Sequence, residues 1–190
     1  MTAIVLAGGK SRRIGENKAF LSIDGKYLIE IVIERLKSVF DHILIVTPEP
    51  AAFEFFDAKK VKIIKDVVLN KGALGGIYTG LVFSPDEYNF VCGCDMPFLN
   101  PHLLKFMLSR VDDVDALVPV IGGFMEPLHS IYSTRCAGYI KKHLHINDLK
   151  IKNFFPEVKC RYLPEEVVRK YDPHLRSFFN LNTSAMLKLA

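Results

Sequence analysis

Disulfide chemistry has little to work with in this chain: 190 residues include only four cysteines, Cys92, Cys94, Cys136 and Cys160, and no C-x-x-C pair. That excludes a cysteine-stapled secreted scaffold and points to a reduced, intracellular protein. Crosslinks are also unnecessary, because a chain of this length buries roughly 70% of the surface it exposes when unfolded. Long apolar runs are missing as well. Met1 to Leu6 is apolar but lacks the basic start and extended hydrophobic stretch of a signal peptide, and no later run approaches a membrane span. The expectation is a cytoplasmic protein with no membrane partner. Nor does one sign of charge dominate: 25 Lys+Arg stand against 21 Asp+Glu, a net charge of +4, and the cations are scattered. A stripe for nucleic acid is excluded by that scatter, whereas small anionic ligands are compatible with it. There is no internal repeat, low-complexity tract or linker, and a composition 49% hydrophobic and 24% charged suits one globular domain over residues 1–190.

What is present is alternation. Thr2 to Leu6, His42 to Thr47, Val61 to Ile64 and Tyr88 to Cys94 are strand-length apolar runs that end in turn residues, as buried parallel strands do. Between them, Leu28 to Phe40 and Leu103 to Val111 carry apolar residues at helical i, i+3, i+4 spacing. The class is therefore α/β, with a mostly parallel central sheet. After Ala116 to Ile121 the alternation becomes irregular. A Gly122-Gly123 turn leads to a predicted strand at Glu126 to Tyr132, compatible with an antiparallel hairpin, so the sheet is expected to be mixed. Helices are predicted at Ser133 to Leu144 and Pro164 to Tyr171, a strand at Val158 to Tyr162, and a last helix from Thr183.

Ligands of open α/β sheets bind beyond the carboxyl ends of the strands, so the residues following each strand carry the most information. The first such loop, Leu6-Ala7-Gly8-Gly9-Lys10-Ser11-Arg12-Arg13-Ile14-Gly15, combines glycines with three cations, and Lys18 follows shortly. Glycine lets backbone N–H groups approach an anion, and Arg and Lys neutralise its charge, so the loop suits phosphate. A plain glycine turn would not require so many cations. Neither G-x-x-x-x-G-K-[ST] nor G-x-G-x-x-G is present.

The second constellation is Cys92-Gly93-Cys94-Asp95-Met96-Pro97-Phe98, in which an apolar strand delivers Asp95 at its carboxyl end. A hard oxygen ligand there suits Mg²⁺, which takes one or two carboxylates and completes its shell with water and substrate phosphates. A helix N-cap is the competing role for Asp95, but Asn100-Pro101 is the more natural cap of the next helix. Cys92 and Cys94 share one strand face and are expected in the core. Third, Asp66 and the segment Gly72-Ala73-Leu74-Gly75-Gly76 follow a strand and bare backbone to the cleft; from the residues alone, a solvated aspartate at a strand end is the preferred reading of Asp66. His129 is either a core histidine or a site residue, and Lys141, Lys142, Lys150 and Lys152 suit a solvated face better than a phosphate site. No Ser-His-Asp arrangement is evident.

The opening Leu6-Ala7-Gly8-Gly9-x-x-x-Arg13-Ile14-Gly15-x-x-Lys18 resembles the signature of the molybdenum cofactor guanylyltransferase family, with Ile14 where Met is usual and Asn17 where Asp is usual. Related cytidylyltransferases read L-A-A-G, so Gly8 favours the guanylyl branch. Cys94-Asp95-Met96-Pro97-Phe98 is similar to the family's C-D-x-P-F/Y. Asp66 with Gly72 to Gly76 resembles D-(x)n-G-P-L-A-G, with Ala73 replacing Pro and Gly75 replacing Ala, which implies a more flexible loop. Pro127 to Tyr132 resembles P-L-x-A-x-Y, and Phe179 to Thr183 resembles the family's F-x-N-x-N-T. The family's Asn after the second strand is absent here, where Thr47-Pro48-Glu49 stands.

The resemblance implies a Rossmann-like, three-layer nucleotide-diphospho-sugar transferase fold with helices on both faces of the sheet. It implies a nucleotide-binding half at 1–100 and a pterin-binding half at 101–190. The implied reaction transfers GMP from GTP to the phosphate of Mo-molybdopterin, releasing pyrophosphate, with Mg²⁺ as cofactor. Carried onto this chain, Leu6, Ala7, Gly8, Gly9, Lys18, Asp66, Gly72 and Asp95 contact the nucleotide. Arg13, Lys18 and Asp95 are catalytic, Asp95 binds the metal, and Asn180 and Asn182 face the pterin. Asn182 or Thr183 is equally placed to serve only as a helix cap. Molybdopterin-loading proteins and apo-molybdoenzymes are the implied protein partners. Competing expectations are a cytidylyl- or sugar-phosphate nucleotidyltransferase and, in another class, a non-catalytic nucleotide or cofactor carrier.

Overall fold

Every central strand is apolar on both faces, which requires helices on each side of the sheet. In the computed structural model, which describes residues 1–8, 18–56 and 59–181, both sides are covered. In chain order the elements are β1 (Thr2–Leu6), the short hairpin β2 (Ser22–Ile23) and β3 (Lys26–Tyr27), α1 (Leu28–Lys37), β4 (His42–Thr47) and β5 (Val61–Lys65). They continue with α2 (Gly72–Phe83), β6 (Tyr88–Gly93), α3 (Pro101–Leu108), β7 (Ala116–Ile121), β8 (Phe124–Met125) and β9 (His129–Ser133). Last come α4 (Cys136–His145), β10 (Cys160–Pro164) and the four-residue α5 (Glu165–Val168). The sheet order is β10-β7-β9-β6-β1-β4-β5, with β8 paired to β7. Along that path only β9 runs against its neighbours, so the sheet is mixed and mostly parallel, as expected from the sequence.

Alternation along each strand divides the core into two. Ala3 and Val5 of β1 with Ile43 and Ile45 of β4 pack beneath Ile29, Val32 and Leu36 of α1 and Leu103, Leu104 and Met107 of α3. Ile4, Leu44 and Val46 face the other way, against Leu74, Ile77 and Leu81 of α2 and Ile140 and Leu144 of α4. The three layers follow from the period-2 strands meeting period-3.6 helices. The α1 entry is closed by Glu30, whose Oε2 accepts the Tyr27 N–H at 2.7 Å. At α3, Asn100 Oδ1 accepts the N–H groups of His102 and Leu103, with Pro101 following, as its sequence predicts. Among the described residues, no helix is long and apolar enough to cross a membrane.

Two expectations are corrected, and one element appears for which the sequence offered no signal. Gly72 to Gly76 is the start of helix α2 and not a flexible loop: Gly76 and Gly80 face β1 so closely that an added Cβ would meet Leu6 Cδ2 at 3.0 Å and Ile4 Cγ2 at 2.5 Å. Close helix–sheet approach outweighs the weak helix propensity of glycine here. The strand predicted from Glu126 starts later, because Gly122 and Gly123 both take positive φ, 56° and 81°, and turn the chain at once into β8, which pairs back on β7 ahead of it. The main return strand begins only at His129. Residues Ile151–Glu157 form a 3-10 helix that inserts Phe154 and Phe155 into the core, without a helical period to announce it. The predicted helix from Thr183 lies outside the described residues.

Candidate active site

From β1 the chain moves to β4 and β5 on one side of the sheet, then returns to β6 on the other. The carboxyl ends of the paired strands β1 and β6 are thus the reversal point, outside which crevices open in such sheets. The backbone at both strand ends is tied down. Leu6, Ala7 and Gly8 extend β1: the Cys94 N–H donates to the Leu6 carbonyl at 3.1 Å and the Ala7 N–H to the Val46 carbonyl at 2.9 Å. Leu6 O is thereby committed to the fold, and Ala7 is buried. Gly8 is exposed and packs on Pro48, whose Cδ would lie 2.9 Å from a Cβ at that position. Pro48 of the atypical Thr47-Pro48-Glu49 turn therefore requires glycine beside it, a contact that the sequence alone did not suggest. Gly9 and Arg13 lie outside the described residues.

On the neighbouring strand, Asp95 lies two residues beyond the end of β6. Its Oδ2 accepts a hydrogen bond from Lys18 Nζ at 3.2 Å, and its side chain remains 20% exposed. The two residues are far apart in sequence, and the closure of β1 against β6 brings them together. The carboxylate orientation depends on Gly93, where a Cβ would come within 2.6 Å of Asp95 Oδ1. A glycine inside an otherwise apolar strand was the available signal for that close approach. Asp95 caps no helix, since the helix that follows is capped by Asn100. Beside it, burial and then the charge of Asp95 push the Cys94 thiol up to about 12, and burial raises Cys92 too. Both are neutral core thiols.

Asp66 sits at the end of β5, but its Oδ1 accepts from Thr79 Oγ1 at 2.7 Å and from the Val68 N–H at 3.0 Å. One carboxylate oxygen thus fastens the β5–α2 turn to the helix. Gly72 opens α2 with φ of 59°, at the same carboxyl edge of the sheet. On the far side, Asn180 is exposed immediately before Leu181, whose N–H donates to the Asp95 carbonyl at 2.9 Å. Asn180 is therefore brought to the Asp95 turn; Asn182 lies outside the described residues. His129 is not presented to solvent. It is fully buried between Phe90 and Phe178, neither ring nitrogen has a protein hydrogen-bond partner among the described residues, and burial lowers its pKa to about 3. Lys141 and Lys142 line a separate groove of about 630 Å³ with Val68, Tyr78 and Ile146, in keeping with a solvated helix face.

Among the described residues, no group of three or more His, Cys, Asp or Glu side chains is arranged to hold a metal ion. A single partly exposed carboxylate suits an ion that arrives with phosphate oxygens, and Mg²⁺ binds in that manner. An α/β sheet with an exposed glycine, a lysine and a partly exposed carboxylate at its reversal point defines a nucleotide-binding α/β protein. Within that class the chain belongs to the MobA-like NTP transferase domain family, whose profile matches residues 3–158. Over its whole length it is 40% identical to the probable molybdenum cofactor guanylyltransferase of Natranaerobius thermophilus, covering 94% of that protein. It is 38% identical to the molybdenum cofactor guanylyltransferase of Desulfosudis oleivorans, with 100% of this chain and 94% of that one covered. The crystal structure of molybdopterin-guanine dinucleotide biosynthesis protein A from Archaeoglobus fulgidus superimposes with a TM-score of 0.85 at 31% identity, covering 100% of this chain and 96% of that one.

Proposed function

We propose that this chain is a molybdenum cofactor guanylyltransferase: the terminal phosphate of Mo-molybdopterin attacks the α-phosphorus of GTP, the bond to the β-phosphate breaks, and pyrophosphate leaves. The observation that carries the chemistry is the pairing of Asp95 with Lys18 at the β1–β6 reversal point, in a chain similar over its full length to proteins of that name. A phosphate monoester is already a nucleophile near neutral pH, so no covalent intermediate or general base is required. Catalysis then rests on positioning and on charge stabilisation. Gly8, together with Gly9 and Arg13 of the signature loop, receives the triphosphate, and Lys18 neutralises charge that builds on the departing pyrophosphate. Asp66 and Gly72 border the nucleoside side, and Asn180 with Asn182 meets the pterin. On this reading residues 1–100 supply the nucleotide side and 101–190 the pterin side of a single cytoplasmic domain.

Asp95, which carries Lys18 on one oxygen and remains partly exposed, would hold Mg²⁺. Bound there, the ion would supply Lewis-acid stabilisation of charge on the nucleotide phosphates. Proteins that load molybdopterin and the apo-enzymes that receive the dinucleotide are the matching partners. The test is incubation with Mg²⁺, Mo-molybdopterin and either GTP or CTP, following pyrophosphate and identifying the dinucleotide by mass. A GTP-selective product supports the proposal, and CTP selectivity replaces it with a cytidylyltransferase. Tight nucleotide binding without product makes the chain a carrier. Asp95→Ala should keep its unfolding temperature and lose about 10²–10³-fold in turnover; full activity in that variant removes the metal role.

A further inference from the structure

The turn that presents Asp95 is held from outside, by a segment some eighty residues further on. Between α5 and Leu181 the chain forms a strap that bonds to residues 95–100 at several points. Ser177, fully buried, accepts the Asn100 N–H on its Oγ at 3.0 Å, and that hydroxyl reaches the Phe98 carbonyl at 3.4 Å. Asn100 Nδ2 donates to the Tyr171 carbonyl at 2.9 Å, and the Leu181 N–H donates to the carbonyl of Asp95 itself. The strap is in turn shaped by Asp172, which is buried and accepts the Ser177 N–H at 2.8 Å and the Arg176 N–H at 3.2 Å. Arg176 stacks over Phe98 at 4.6 Å, while Phe178 closes against His129.

Tyr171, Asp172, Arg176 and Ser177 lie outside the strands of the sheet, and the family signatures touch the strap only at its far end. Their bonds converge on one six-residue turn, both ends of which are pinned: Asp95 by Leu181, Asn100 by Ser177. A carboxylate on a turn pinned at one end would be free to swing about its own backbone, and metal ligands work only when their orientation is supported by such outer contacts. We propose that Ser177, set by Asp172, is a positioning residue for Asp95, holding the turn so that the carboxylate faces the cleft. The strap is thus part of the metal site without touching it. This inference rests on the reading of Asp95 as the metal ligand.

The test separates the two. GTP affinity is measured by calorimetry with Mn²⁺ and again with chelator, for wild type, Asp95→Asn, Ser177→Ala, Asp172→Asn and Val168→Ala. Val168 is buried in α5 outside the strap, so that variant reports loss of stability alone. The ratio of the two affinities isolates what the ion adds. It should collapse to near one in Asp95→Asn, fall about tenfold in Ser177→Ala with metal-free GTP affinity unchanged, and stay at the wild-type value in Val168→Ala. Should Ser177→Ala fail to fold, Asp172→Asn carries the test, because it keeps the side-chain shape while weakening the bonds that orient Ser177. A wild-type ratio in the strap variants alongside a collapsed one in Asp95→Asn overturns the positioning role and leaves the metal ligand standing. A wild-type ratio in Asp95→Asn overturns both.

Discussion

Acidification should weaken this protein through one buried side chain, and replacing His129 by leucine isolates the effect. His129 is fully buried, and burial holds its ring neutral down to a pKa of about 3, although the nearby charge of Asp172 pulls the other way. In the unfolded chain the same ring titrates at its ordinary value of 6.5. Below that pH the unfolded state binds a proton that the native state refuses, so stability falls as pH falls. Each unit of difference corresponds to about 1.36 kcal/mol, which makes the whole interval from 6.5 down to about 3 worth about 4.8 kcal/mol. Between about pH 7.5 and about pH 5 the linkage integral amounts to about 2 kcal/mol. Urea unfolding of wild type and His129→Leu at those two pH values gives the quantity directly. Whatever the leucine does to packing cancels in the comparison, and the variant should gain about 2 kcal/mol on wild type at the lower pH. A difference that stays constant to within about 0.5 kcal/mol would mean that the imidazole is protonated inside the fold, and the reasoning from burial would be wrong.

Helix α2 sets the spacing to β1, so Gly80→Ala, which drives a methyl to 2.5 Å from Ile4 Cγ2, should cost about 2–3 kcal/mol in denaturant unfolding. The matching change Gly138→Ala in α4 meets nothing within 4 Å and should stabilise by up to about 1 kcal/mol. Gly93→Ala pushes on Asp95 Oδ1 and should lower Mg²⁺-dependent turnover at least about tenfold in steady-state assays, in a variant whose circular dichroism is unchanged. His143 is held between Glu157 at 2.5 Å and Asp148 at 3.1 Å; Glu157 foremost, then Asp148, raise its pKa above 6.5. A raised folded value means that its stabilisation is complete below pH 6.5 and lost as pH climbs through the folded value. His143→Gln should therefore be less stable than wild type at mildly acid pH and approach it in alkaline buffer, and a gap independent of pH would refute the assignment.

The pattern of apolar runs carried the architecture because the central strands are buried on both faces: His42–Thr47 emerges with its expected bounds, and the predicted strands beginning at Thr2, Val61 and Tyr88 start where the sequence places them. Glycine was the main source of error. In Gly72 to Gly76 it reads as a breaker, yet here it lets a helix press against β1, a tertiary preference invisible to local spacing. Phe154 and Phe155 reach the core from a 3-10 turn, which has too few residues to display a period. At the site, Asp95 and Lys18 stood out because their chemistry is unusual for a strand end and a loop. Gly93, Pro48 and Ser177 did not, since each acts through a contact with a residue distant in sequence or through the space it leaves. Asp66 was legible as a residue but not in its use, because its bond to Thr79 depends on where α2 returns.

The strap also imposes a timetable on the nascent chain. Asp95 leaves the peptidyl-transferase centre about 86 residues before Leu181, whose N–H closes on its carbonyl, so at ~5–20 residues per second the two are separated by ~4–17 s of synthesis. Until His129–Ser133 has been made β6 lacks its neighbour β9 as well, and until Ser177 and Leu181 follow the Asp95 turn has neither of its pins. A ribosome-bound chain is then able to display the glycine turn and the lysine while the carboxylate opposite them is still unset. Guanylyl transfer, on the reading above, switches on as a late event of biogenesis and does not grow in gradually with chain length.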